Sequence, residues 1–151
     1  MNEDDQPGVI VNAMLLVHNI TQTGPLLNLM GISQILPCYA NPQPLTFAYF
    51  VSIAPDNIEP IVARVSFRDP LSIELRSSGD VDIPKQLDIG AGWSIATGIS
   101  TIHATVMHPG AYSAVLTING TVKHVLKIGA FYPTQNIQEV RFQRPPPSPI
   151  D

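Results

Sequence analysis

Four histidines, His18, His103, His108 and His124, are the side chains of this 151-residue chain best suited to metal ligation or proton transfer near neutral pH. None stands at the strand or helical spacing that sets two ligands side by side, and none has a carboxylate next to it in sequence. They read as structural, with His108 on its His108-Pro109-Gly110 loop the most exposed. Asp80, Asp82 and Asp88 offer the hard oxygen donors that calcium takes, but the glycine and terminal glutamate of a helix-loop-helix site are missing. Cys38 is the single cysteine, so it makes neither an internal disulfide nor a thiolate zinc site, and no base lies near it in sequence to activate it. Gly92-Trp93-Ser94 lacks the second glycine of a nucleophile elbow, and Gly90-Ala91-Gly92 is too short to cradle a phosphate. The expectation is therefore no catalytic residue, no metal, no cofactor and no enzyme. What remains is aromatic. Trp93 between glycines is either a core plug or an exposed stacking platform, and Trp93, Tyr132 and His108 form the candidate ligand-binding set.

The elements that must position these groups are strands. Fifteen prolines exclude long helices, because each removes an N–H and clashes with the preceding turn. Charged residues make up 13% of the chain, against about 25% in a typical domain. A net charge of −4 with eight unclustered basic residues gives no footprint for nucleic acid, so none is expected. The first apolar run, Val9 to Val17, is too short for a membrane helix, and no membrane partner is expected. The acidic start Met1-Asn2-Glu3-Asp4-Asp5 lacks the basic region of a secretory signal, which points to the cytoplasm. In that compartment Asn19-Ile20-Thr21 and Asn119-Gly120-Thr121 read as turns, not glycan acceptors.

Period-two alternation in short runs broken by Pro, Gly, Asn and Asp marks the strands. Val9–Val17, nearly all apolar, reads as a central or doubly covered strand, forming a hairpin through Asn19–Gly24 with a return along Leu27–Ile32. Leu45, Phe47, Tyr49, Val51 and Ile53 share one face of the clearest strand, and each would contribute about 1.5–3 kcal/mol on burial. Ile61, Ala63, Val65 and Phe67 alternate with Val62, Arg64, Ser66 and Arg68, and Leu71, Ile73 and Leu75 alternate with Ser72, Glu74 and Arg76. Residues 77–92 read as a long crossover or functional loop. Ile102, Ala104 and Val106 then oppose Thr101, His103 and Thr105.

The last hairpin sets a choice of register. A two-residue Asn119-Gly120 turn would pair Leu116 with Lys123 and Tyr112 with Lys127, bringing lysines onto the apolar face. A three-residue Ile118-Asn119-Gly120 loop pairs Leu116 with Val122 and Tyr112 with Leu126, and is the expected form. In Pro109-Gly110-Ala111-Tyr112 the tyrosine opens a strand two residues after a turn glycine, the arrangement of a tyrosine corner, with Ala114 where an antibody domain has its second cysteine. Seven to nine short strands with such a corner give an all-β, antiparallel, immunoglobulin-like sandwich. The division is a disordered tail over 1–8, a β-sandwich over 9–130, and a C-terminal extension over 131–151 ending in the proline-rich run from Arg144.

On Ala13-Met14-Leu15-Leu16 before a turn, Leu29-Met30-Gly31-Ile32 near Pro37, and the Pro109-Gly110-x-Tyr112-x-x-x-Leu116-x-Ile118-Asn119-Gly120 hairpin, the chain resembles an uncharacterised bacterial family of β-sandwich proteins over roughly Val9 to Ile128. The resemblance implies a cytoplasmic sandwich with no assigned activity and no catalytic residues to transfer. The proline-rich tail departs from it.

With few charges, and with Val62, Val115 and Val125 on outward faces, the expected function is a non-enzymatic module that associates with itself or binds a protein partner. A homodimer with residues 137–142 across the contact would cover those valines. The alternative is a small-ligand or carbohydrate-binding sandwich using Trp93, Tyr132 and the 77–92 loop.

Overall fold

The computed structural model describes residues 8–23, 26–57 and 60–132. The N-terminal tail up to residue 7, the 137–142 segment and the proline-rich run lie outside the described residues. Among the described residues there is no helix, and so none long and apolar enough to cross a membrane. The described residues form twelve strands: β1 (Val9–Val17), β2 (Asn19–Thr23), β3 (Leu26–Met30), β4 (Ile35–Pro37), β5 (Tyr39–Ile53), β6 (Ile61–Arg68), β7 (Glu74–Ser77), β8 (Val81–Ile83), β9 (Leu87–Gly90), β10 (Trp93–Val106), β11 (Gly110–Ile118) and β12 (Thr121–Phe131). Four of them pair in the order β1-β5-β10-β9. A larger sheet runs β4-β12-β11-β6-β7 with β8 also on β6, and β2 and β3 form a separate hairpin. Every pairing is antiparallel except that of β4 with β12.

Alternation dictates the core. Leu45, Phe47, Tyr49, Val51 and Ile53 of β5 are each at most 1% exposed, and Ala63, Val65 and Phe67 of β6 are wholly buried. Both sheets feed one buried cluster. β10 brings mostly small inward residues, Ser94, Ala96, Gly98 and Ser100, and the Tyr49 ring lies directly across Gly98. The Tyr49 hydroxyl shares a buried 2.9 Å hydrogen bond with Ser100 Oγ. In the larger sheet Tyr112 stacks on Phe67, ring centres 5.5 Å apart, and donates its hydroxyl to the His108 carbonyl at 2.8 Å. That contact is the backward bond of a tyrosine corner.

Several expectations are corrected. Val9–Val17 is an edge strand, paired with β5 alone in its sheet, and the hairpin in this region belongs to β2 and β3. Leu71 and Ile73 lie outside any strand, 80% and 58% exposed, because Ser72 takes a positive φ of 65° and Asp69 Oδ1 gathers the Leu71 and Ile73 amides into a turn. Residues 77–92 carry β8 and β9, on different sheets. The last hairpin uses the two-residue turn after all: Ile118 pairs with Thr121, and Asn119 and Gly120 take φ of 49° and 84°. The register then shifts, Thr117 pairing with Val122 and Leu116 with His124, so Lys123 is an extra residue in β12. The bulge keeps Tyr112 opposite Ile128 and Ala114 opposite Leu126, which spares the apolar face without a longer loop.

The scarcity of charge is localised. β1, β5 and β10 contain no Asp, Glu, Lys or Arg, although Ile10, Ile99 and, on β9, Leu87 stand 50%, 38% and 54% exposed. Of the three valines expected to need cover, Val115 is buried within its own sheet, Val62 is half-buried and Val125 is exposed.

Candidate functional site

The structure separates the ligand-binding set inferred from sequence. Trp93 starts β10 opposite Gly90, half-buried and outside the buried cluster, so it is neither a core plug nor an open platform. His108 lies beyond the other end of that 14-residue strand, roughly 40 Å away at about 3.3 Å per residue. Tyr132 follows β12 at the His108 end, since Gly110 pairs with Ala130. Trp93 therefore cannot share a site with His108 and Tyr132.

The other groups are equally dispersed. His18 adjoins Gly31 at the base of the β2–β3 hairpin, His103 is on β10, and His124 is opposite Leu116. Asp82 and Asp88 belong to strands of different sheets, and Asp88 Oδ1 accepts the Gly90 amide at 2.9 Å. Among the described residues no three His, Cys, Asp or Glu side chains gather as for a metal ion. Burial pushes the Cys38 thiol above its ordinary value, which lowers its thiolate fraction.

Concavities lie instead at the margins of the sheets. The first lies under residues 31–37, which cross from the edge of one sheet to the edge of the other. Ser33 donates its amide to the Leu16 carbonyl at 3.0 Å, and Gln34 accepts from Gly129 N at 2.8 Å. Gln43 Nε2 reaches back to the Pro37 carbonyl at 2.8 Å. The cleft beneath encloses about 560 Å³ and is lined mainly by apolar groups such as Leu16, Ile35, Leu36, Leu45 and Phe131.

The second is a recess of about 400 Å³ where β7 faces β10, lined by Pro42, Arg76, Ser77, Thr101, Ile102 and His103. Arg76 is in register with Phe67, hence on the inner side of the larger sheet at its margin. Ser77 Oγ accepts from Arg64 Nε at 2.6 Å and from the Gly79 amide at 3.2 Å, and Thr101 Oγ1 shares a hydrogen bond with Thr46 Oγ1 at 3.1 Å. The lining includes Arg76 and His103 and no acidic residue. Sequence reading missed this group because Arg76 and His103 belong to different sheets and share no local pattern. The one signal available was an arginine in a run whose next neighbour across the sheet is a core phenylalanine.

No family model matches the chain, and no curated protein matches it. Among solved structures, Pseudomonas fluorescens alkylpurine DNA glycosylase AlkC, bound to DNA containing an abasic site analog, is similar over 82% of this chain and 30% of its own, at 8% identity and a TM-score of 0.43. The chain thus spans under a third of that protein. That neighbour is bound to DNA, whereas the sequence reading expected a self-associating or protein-binding module, with a carbohydrate or small-ligand alternative at Trp93 and the 77–92 loop, and excluded nucleic acid. Those readings are corrected and carried no further, and a likeness of that degree supplies no activity in their place.

Proposed function

We propose that this chain is an immunoglobulin-like β-sandwich that works without catalysis, as a recognition domain of the uncharacterised cytoplasmic bacterial family whose hairpin motifs it shares. Three features support the fold reading. The order β1-β5-β10-β9 matches strands A-B-E-D of an immunoglobulin domain, and β12-β11-β6 with β7 beyond matches G-F-C with an added strand. β4 lies parallel on β12, as when a first strand divides between the sheets. Tyr112 makes the corner bond, and Ala114 follows it at the position of the missing cysteine.

The observation that carries the non-catalytic reading is the dispersal of titratable groups. The three that burial displaces, Cys38, Tyr49 and Tyr112, are pushed away from ionisation and packed in the core. General acid–base or nucleophilic chemistry needs such groups within hydrogen-bond reach of one another in a cleft. Purified protein should turn over no generic esterase, phosphatase, peptidase or glycosidase substrate above buffer. A turnover abolished by replacing one of the four histidines, or Asp82 or Asp88, overturns the reading.

A further inference from the structure

We infer that the recess between β7 and β10 seats a phosphate group, free or carried by a larger molecule. The inference rests on the recognition reading above and gives it a site. β9 pairs with β10 only over Trp93–Ile95, and beyond it the Gln86 side chain stands in for a strand: its Oε1 accepts from Thr97 N at 3.2 Å and its Nε2 donates to Thr97 O at 3.4 Å. From Thr97 onward no described strand pairs with that edge. The Thr97 amide and carbonyl face the free side. Residues two apart on a strand point their backbone groups the same way, and the register on β5 is unbroken from Ser94 to Ala104. Ile99, Thr101 and His103 therefore turn their N–H groups to the open edge. His103 stands opposite Pro44, which has no N–H to give, as a pair not hydrogen-bonded to one another should.

The side chains complete a donor set. Among the described residues Arg76 makes no hydrogen bond and no ion pair, so both edges of its guanidinium are open to a ligand, and a guanidinium fork matches two oxygens of a phosphate. Ser77 is in register with Ser66 on the other face of the sheet, where its Oγ accepts from Arg64, so the guanidinium and the edge amides carry the site. In a chain with twelve acidic and eight basic residues, this concave surface is lined by Arg76 and His103 with no acidic residue, so the local charge balance is reversed there. Its 400 Å³ exceeds a bare phosphate and has room for the group that carries one.

Inorganic phosphate and, separately, a short single-stranded oligonucleotide are titrated into ¹⁵N-labelled protein at constant ionic strength set with chloride. Phosphate should shift the Ser77, Thr101 and His103 amides and leave Trp93 and Lys127 in place. Arg76→Gln should weaken binding about ten-fold or more, and Lys127→Gln should leave it unchanged, with both variants melting as the parent does. If the oligonucleotide shifts the same amides and loses them in Arg76→Gln, the phosphate is one borne by nucleic acid; if only inorganic phosphate does so, it is a free or small-molecule phosphate. No shift at these amides, shifts scattered over the surface, or binding that Arg76→Gln leaves intact overturns the site. The recognition reading falls separately, on the turnover screen.

Discussion

The two large sheets solve the same problem with opposite surfaces. In each a small inward residue is covered by aromatic rings: Tyr49 lies over Gly98 in the four-stranded sheet, and Tyr112 and Phe67 flank Ala114 in the larger one. The first tyrosine is sealed, its hydroxyl spent on Ser100 inside the core, whereas the second sits at the margin and holds a turn through the His108 carbonyl. Outward, the larger sheet carries Arg64, Arg68 and Lys127, and the central strands of the other carry no charge at all. Identical strand physics thus tolerates both surfaces, and what distinguishes the sheets energetically is how deeply each tyrosine is locked.

The largest effect should come from Gly98. A Cβ there would fall inside the Tyr49 ring, which is buried against both sheets and has nowhere to move. Gly98→Ala should cost about 3 kcal/mol or more by overpacking, read as a drop in the urea midpoint. A variant as stable as the parent would show that Tyr49 is not fixed by this close approach.

Tyr49→Phe comes next. It keeps the ring but strands Ser100 Oγ, on a residue 2% exposed, without its partner, and should cost about 2 kcal/mol, within the 1–3 kcal/mol of an unsatisfied buried group. Replacing Ser100 by Ala as well should recover part of that loss, and a double variant no more stable than Tyr49→Phe breaks the account.

The tyrosines also set a pH limit. Burial raises the Tyr49 phenol above its ordinary 10.0, against a smaller lowering by Ser100. Burial likewise raises Tyr112, with Cys38 and Asp69 adding to it. The folded chain then holds protons that the unfolded chain releases above pH 10. Stability is whole below that pH and declines as pH rises further. Tyr49→Phe should flatten the alkaline decline more than Tyr112→Phe, and equal slopes would erase the distinction between the sealed and marginal tyrosine. At neutral pH Tyr112→Phe should cost only about 1 kcal/mol, the net worth of one hydrogen bond.

How much of this was legible follows from what is local. β5, β6, the second half of β10 and β11 are visible because alternation reports a buried face residue by residue, and the tyrosine corner because its bond spans one turn. The β12 bulge was not, since inserting Lys123 leaves every apolar residue usable in either register and only the ladder decides. β8 and β9 are too short to show a period. The candidate site was legible least: Trp93, Tyr132 and His108 are conspicuous residue types, but strand length drives the first far from the others, and Arg76 meets His103 only because the margins of two sheets converge.

The smallest effect tests whether the uncharged surface is a requirement of the fold. Ile99 flanks Ala48, which is fully buried though it faces outward, and Val125 flanks Val115, 5% exposed, on the other sheet. Each is a partly exposed apolar group sheltering a buried neighbour, and a lysine stem can take over that shelter with its ammonium in water. Ile99→Lys and Val125→Lys should therefore each change stability by no more than about 0.5 kcal/mol. If Ile99→Lys alone proved severely destabilising, the absence of charge on β1, β5 and β10 would be a demand of folding. If both are neutral, folding places no such demand, and the difference between the sheets lies in what each surface meets.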